Sequence, residues 1–272
     1  LGPLFRAAPA TLRRVLLIHH LTAWEHAPGA EREQLLALEQ AAIDAANVCI
    51  ATSRVTAERL QQERLASAVT VIEPGADRFE RPPRPRKEPN DARVRLLFVG
   101  NLMPRKRVLE LVQAFAELSA EHAELVLVGA ELEPDYARAL RAVIARAEPS
   151  CRVHCLGALS DAGVAEQLSL ADALVLPSAL EGYGMVLSEA LWAAVPILAA
   201  RVGAAQELVS RSSAGLLYEP DDVGGLSSVL ARFVADRTLR AQLQRAAGLS
   251  AEQLPRWRDT ALAVRATLSK SR

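Results

Sequence analysis

The sequence is poor in cysteine: three in 272 residues. That is too few for a disulfide framework, which excludes the small stapled secreted scaffolds and fits a reducing compartment. A cytoplasmic location is the expectation that follows. An excess of charge of either sign is lacking too, since 32 Lys and Arg balance 32 Asp and Glu. No global field draws the chain to nucleic acid or to an anionic surface, so no nucleic-acid partner is expected and any anion must be held by a local site. No run of 18 or more apolar residues occurs; the longest candidate, ALWAAVPILAA, is short and interrupted by Pro196. A membrane span is therefore not expected, and any membrane contact would be peripheral. The chain opens on Leu, and LGPLFRAAPATLRR lacks the basic-then-apolar order of a signal peptide. A strand-following GxGxxG, a GxxxxGK[ST], a GxSxG and an HExxH are all missing. Their absence removes the usual dinucleotide, P-loop, esterase and zincin readings.

What is present is apolar bulk in short blocks. Half of the residues are hydrophobic, enough for a large core and comfortable for two domains. The runs at 14–20, 46–53, 69–75, 93–100, 123–129, 152–157, 172–178 and 195–200 read as buried strands, most of them ending at Gly, Pro or Ser. Their hydrophobicity is continuous rather than alternating, which points to strands covered on both faces and hence to a parallel sheet. Amphipathic segments at 107–121 and 135–148 lie between them. The alternation predicts an α/β protein with doubly wound, Rossmann-like domains and right-handed crossovers. One stretch, DRFERPPRPRKEPNDAR, carries four prolines and many charges and reads as a linker. The predicted domains are 1–78, a linker at 79–92, a second domain at 93–245 and a final helical part at 246–272.

Ligands of doubly wound sheets sit beyond the carboxyl ends of the strands, and four such ends carry suggestive residues. In LLFVGNLMPRKRVLELV a strand ends at Gly100 and Asn101, and Arg105 and Lys106 stand where a helix opens. Two cations beside free helix amides suit a phosphate, although solvated loop cations account for such a pair about as well. In EGYGMVLSE, Gly182 and Gly184 let the backbone come close to a ligand, Tyr183 lies between them, and a helix is predicted to start near Met185 and Val186. Glu181 then sits in the loop and Glu189 in the first turns. On one continuous helix the two acids would be about 12 Å apart at ~1.5 Å per residue. That exceeds the roughly 5–9.5 Å of a glycosidase carboxylate pair, so they read as two separate ligand contacts rather than an acid/base couple. Spacing alone favours solvated or capping glutamates over ligand contacts. Glu207 in ARVGAAQELV suits simple compensation of a helix dipole. His19 and His20 in LLIHHLTAWE stand at a further strand end. CRVHC brings Cys151, His154 and Cys155 close, but strand alternation turns the two thiols away from the imidazole, which disfavours a shared metal.

In order along the chain, VGNLMPRK, LVLVG, VHCLGALSD, ADALVLPSALEGYGMVLSEAL, VGAAQELV and AGLLYEPDD resemble the donor-binding domain of the retaining glycosyltransferases of family 4 (glycosyl transferases group 1), which have the GT-B fold. LLIHHLTAWE, CIATSRVTAERL and VTVIEPGAD are similar to the end of that family's N-terminal domain. The resemblance runs over about residues 14–245. It implies that the first strands of the N-terminal domain, with their Gly-rich loop, are not among these residues, and that the last helix returns to the first domain. It implies a nucleotide-diphosphate-sugar donor, an acceptor hydroxyl on a glycan, lipid or small molecule, no further cofactor and no metal.

By the same resemblance Arg105 and Lys106 would neutralise the diphosphate, and Glu181 and His19 would meet the sugar, with His20 the lesser candidate. Amides around Gly184, Met185 and Val186 would hold sugar and phosphate oxygens, and Glu189 would accept from the ribose. Gly100, Asn101, Gly182 and Tyr183 complete the expected donor surface. Asn101 departs from the arginine frequent in the family at that place, so either one diphosphate contact is lost or Arg105 takes it over. Three alternatives stand beside transfer: a chain that binds a nucleotide-sugar without turnover, an epimerase or hydrolase of a sugar nucleotide on the same fold, and a purely structural α/β module that binds no nucleotide.

Overall fold

A computed structural model describes residue 9 and residues 12–83, 93–118, 123–147, 152–222 and 224–270. Residues 84–92 of the expected linker, and Cys151, lie outside the described residues. By its contacts the chain groups into two units. The first comprises residues 1–75, 180–184 and 255–272, the second 76–179 and 185–254.

The first unit holds a three-stranded parallel sheet in the order β1-β2-β3, formed by Val15–Ile18, Val48–Ala51 and Thr70–Val71. Helix α1 (Ala30–Ala45) follows β1 and α2 (Arg54–Gln62) follows β2. Leu16, Ile18, Ile43, Cys49 and Leu60 form its buried cluster, with Trp24, Leu36 and Val69 packed at the side. The sequence marks the start of α2 well: Ser53 is the N-cap, and its hydroxyl accepts from the Thr56 amide at 3.1 Å. The last helix, α10 (Trp257–Lys270), belongs to this unit. Its Thr260 hydroxyl donates to the Glu73 carbonyl at 2.8 Å. A side chain on Gly75 would meet the Trp257 backbone at 2.1 Å, so the chain before the helix can approach only as glycine.

Two strand expectations need correction here. The run at 69–75 yields only the two residues of β3, both exposed, because β3 closes the sheet edge and Pro74 cannot donate to a further ladder. In β1, Leu17 is 54% exposed, so that strand is not covered on both faces.

The second unit carries a six-stranded parallel sheet in the order β6-β5-β4-β7-β8-β9. Its strands are β4 (Val94–Val99), β5 (Ala123–Val128), β6 (Val153–Cys155), β7 (Ala173–Leu176), β8 (Ile197–Ala200) and β9 (Gly215–Tyr218). Helices α3 (Val108–Ala116), α4 (Pro134–Arg146), α5 (Asp161–Leu170), α6 (Met185–Trp192), α7 (Ala205–Ser212), α8 (Gly225–Ala235) and α9 (Arg237–Ser250) alternate with and follow them. Leu96, Leu97, Phe98, Leu125, Leu127, Leu174, Val175, Ile197 and Leu198 are fully enclosed, which is why these strands read as near-continuous apolar runs. β6 is the exception: His154 and Cys155 are exposed on this edge strand, so the expectation of burial does not hold there. β9 was not among the strand runs read from the sequence. The fold is α/β throughout, with every strand pair parallel.

Candidate functional site

The strand order of the second unit reverses between β4 and β7. From β4 the chain crosses to β5 and β6 on one side, then returns to β7 and continues to β8 and β9 on the other. Crevices at such a switch point are where open α/β sheets take ligands. Both of the principal motifs leave strands at this point, Gly100–Lys106 after β4 and Leu180–Glu189 after β7.

Past β4 the chain is tied down by its backbone. The Gly100 amide donates to Val128 at 2.9 Å and the Leu102 amide to Ala130 at 2.8 Å. The Gly129 amide donates to Gly157, also at 2.8 Å. A side chain on Gly129 would lie 1.8 Å from the Gly100 carbonyl oxygen. The two strand ends can close only because that position is glycine. A single turn of 3-10 helix over Pro104–Lys106 then presents Arg105 and Lys106. The Ala179 amide, just beyond β7, donates to the Arg105 carbonyl at 2.8 Å. The Lys106 side chain lies beside Gly100, its Cε 3.7 Å from where a Cβ on that glycine would be. Gly100, Arg105, Lys106 and the residues following β7 are thus held at one corner of the sheet, and Asn101 is exposed on the same loop.

Helix α6 begins at Met185, as the sequence predicts, after Gly184 in the left-handed region at φ 73°. Met185 and Val186 are half-buried and stand in its first turn, where amides have no partner inside the helix. Glu189, one turn on, is only 2% exposed. Its carboxylate lies 3.3 Å from Nε of Arg78, which also reaches Asp161 at 3.7 Å. Burial pushes the Glu189 carboxyl above its ordinary range, against the pull of Arg78 and with the push of Asp161. One turn further along α6 the Trp192 indole donates to the Phe79 carbonyl at 3.0 Å. Glu189 and Trp192 therefore clasp the segment at 78–79 from one helix face. Sequence reading missed Arg78: it is 111 positions from Glu189, and nothing in the pattern links them.

In the first unit, residues 180–184 pack against the end of β1. A side chain on Gly182 would meet the His19 carbonyl oxygen at 2.0 Å. The Ser53 hydroxyl donates to the Gly182 carbonyl at 3.0 Å, and the Thr56 hydroxyl to that of His19 at 3.1 Å. So His19 and the loop bearing Glu181 are pinned together by two buried hydroxyls at the start of α2. The capping pattern at Ser53 was a signal for these residues that the sequence reading did not use. Tyr183 is buried, 3% exposed, and its hydroxyl donates to Glu73 at 3.3 Å. His19 stays solvent-accessible, and partial burial, then the neighbouring His20, holds its imidazole below the ordinary range. His20 faces Glu25 at 2.5 Å. Glu207 stands in the first turn of α7 and pairs with Arg211 at 3.5 Å. On β6 the His154 ring lies 3.8 Å from Glu124.

Comparison with known proteins follows the same lines. The family described as glycosyl transferases group 1 matches residues 80–249. The D-inositol 3-phosphate glycosyltransferase of Streptomyces avermitilis is 31% identical over 235 residues, 79% of this chain and 50% of its own length. The N-acetyl-alpha-D-glucosaminyl L-malate synthase of Bacillus anthracis is 32% identical over 149 residues, 54% of this chain and 38% of its own length. The chain spans about half or less of the curated relatives it matches. Among solved structures, the sucrose-phosphate synthase of Thermosynechococcus elongatus superposes with a TM-score of 0.79 at 24% identity, over 94% of this chain and 67% of that one. Anabaena HepE, solved in complex with UDP and glucose, gives 0.77 at 24% identity over 94% of this chain and 71% of that one. At that identity the likeness is one of fold, GT-B in type. Among the described residues no helix is long and apolar enough to cross a membrane.

Proposed function

The chain belongs to the glycosyl transferases group 1 family, and from that premise we propose that it binds the donor for a retaining transfer of a sugar from a nucleoside diphosphate to an acceptor hydroxyl. The observation that carries this reading is the corner at the switch point. There the Ala179–Arg105 hydrogen bond and the Lys106–Gly100 approach hold two cations at the ends of β4 and β7.

As the glycosidic bond breaks, negative charge grows on the departing diphosphate. Arg105, Lys106 and the first-turn amides of Met185 and Val186 are fixed in advance, so they stabilise that charge more in the transition state than in the ground state. Gly100, Asn101, Gly182, Tyr183 and Gly184 shape the approach of backbone to donor. Glu181 receives the sugar hydroxyls, and His19, kept neutral by its depressed pKa, meets the sugar as donor or acceptor. Glu189 takes the ribose hydroxyls while Arg78, 3.3 Å away, aims its carboxylate. The cations do the work that a divalent metal does in other sugar-nucleotide enzymes.

Calorimetry with GDP, UDP and ADP, run beside a turnover assay with the matching nucleotide-sugars, tests the reading. Saturable diphosphate binding that collapses in Lys106→Ala supports it. Binding that ignores Lys106 and Arg105 overturns it. Binding with sugar released or epimerised in the absence of acceptor, and no transfer in its presence, replaces transfer with the hydrolase or epimerase alternative.

A further inference from the structure

Behind the cationic turn, the second unit has a groove of about 400 Å³ that includes none of the donor-site residues. Its walls are α3, the chain just past β7 at Pro177, and the Tyr218–Asp222 segment that leaves β9. The volume lies in the range of small-molecule sites.

Two features set this groove apart from a surface dent. Tyr218 is 8% exposed and lines it, yet its hydroxyl makes no hydrogen bond among the described residues. The ring of Tyr218 is therefore largely enclosed while the residue lines the groove, so its hydroxyl can offer a ligand one donor and one acceptor there. Burial, and then the charge of Glu110, pushes that phenol up against the pull of Arg107, which places its hydroxyl end in the field of both. The second feature is Arg107. It adopts the left-handed region at φ 51° as the N-cap of α3, a conformation costing a non-glycine residue about 1 kcal/mol. Its guanidinium donates to the Pro220 carbonyl at 2.5 Å, which braces the wall after β9, and Arg107 itself lines the groove.

The charge of the lining selects the ligand. Glu110, Glu117, Asp221 and Asp222 face the single guanidinium of Arg107. Glu117 accepts from Ser227 at 2.9 Å and Asp222 from the Gly224 amide at 3.1 Å. Glu110 and Asp221 have no partner among the described residues. The balance is negative, so phosphates and nucleotides are repelled, whereas an amine is attracted and hydroxyl groups find acceptors in the carboxylates and donors in Arg107. Pro177, Pro220 and Ala114 supply the apolar floor on which the carbon face of a ring rests.

We propose that this groove is a second binding site, separate from the donor corner, for a small amine-bearing polyhydroxy compound of the amino-sugar class. The test is calorimetry on the full chain with three probes: glucosamine, glucose and glucose 6-phosphate. Glucosamine should bind saturably, glucose about tenfold more weakly for want of the charge-assisted contact, and glucose 6-phosphate not at all. Tyr218→Phe should weaken glucosamine about tenfold. Glu110→Gln, an exposed change that the fold tolerates, should abolish the preference for glucosamine over glucose. Nucleoside-diphosphate binding in the same samples should be unchanged in both variants, so failure here and failure of the transfer reading are told apart. The proposal is overturned by any of three results: no saturable glucosamine binding, binding indifferent to both substitutions, or glucose 6-phosphate binding as well as glucosamine.

Discussion

Two neighbouring regions of the second unit stand one residue apart in the chain and opposite in charge. The turn at Pro104–Lys106 gathers Arg105 and Lys106 at the end of β4. The groove that begins at Arg107 is ringed by four carboxylates. Both are built at carboxyl ends of parallel strands, so the sheet alone does not decide what is bound. The side chains set on α3 and on the segment after β9 decide it, by making one place attract anions and the other repel them. The single left-handed residue at Arg107 is the pivot: it ends the cationic turn and starts the helix that supplies Glu110 to the groove.

The comparison breaks most severely at Gly129. Alanine there would put a methyl group into the Gly100 carbonyl, so the loop after β4 must move or the sheet end must open. We expect a loss of about 3 kcal/mol, read as a lower midpoint in urea, with diphosphate binding weakened in whatever protein remains folded. Unchanged stability would mean that the two strand ends are not held as described. Next in size is Lys106→Ala, expected to reduce turnover at least ~100-fold while leaving glucosamine binding in the groove untouched. A loss of less than threefold removes Lys106 from the mechanism.

Glu189 sharpens the contrast through pH. Its carboxyl titrates above the ordinary range because it is buried. If its ionised form accepts from the ribose, affinity for a nucleoside diphosphate holds at high pH. It then falls as the pH drops through that raised value, earlier than an ordinary carboxylate would allow. The Gln variant should bind about tenfold more weakly at neutral pH and should lose that acid limb. A wild-type profile flat through this range would reduce Glu189 to the clasp on Arg78. The linked stability runs the other way: a raised carboxyl stabilises the fold below the ordinary range, and that contribution is lost as pH rises through its folded value. The smallest effect concerns the first unit. Ser53→Ala removes the cap of α2 and the bond to Gly182, and should cost about 1 kcal/mol in thermal or urea unfolding. No measurable change would show that water replaces the hydroxyl there.

Much of the fold was legible. The runs that became β7 and β8 are apolar without interruption because each is enclosed on both faces, and those of β4 and β5 are broken only by Arg95 and Glu124, which pair with each other across the two strands. The start of α6 was legible because Gly184 must adopt a left-handed conformation just before it. Less was legible at edges. The run at 69–75 looked like a buried strand, yet only two exposed residues of it pair. GLLY at β9 passed unnoticed as a strand although three of its four residues are apolar. The candidate site divides in the same way. Arg105, Lys106 and Gly100 stand close in sequence and were found together. The Arg78–Glu189 pair, the Ser53 bond to Gly182 and the groove at Tyr218 join residues 111, 129 and 111 positions apart.

The amino-acid order by itself determined the α/β alternation, the parallel character of the sheets and the places where cations and glycines follow strands, because periodicity and backbone restriction act over a few residues. The tertiary structure alone decided which distant side chains meet: Arg78 at Glu189, Arg107 with Tyr218 and the acids around them. Burial energies and pKa values depend on what surrounds a group in space, and that surrounding is assembled only when the strands come into register.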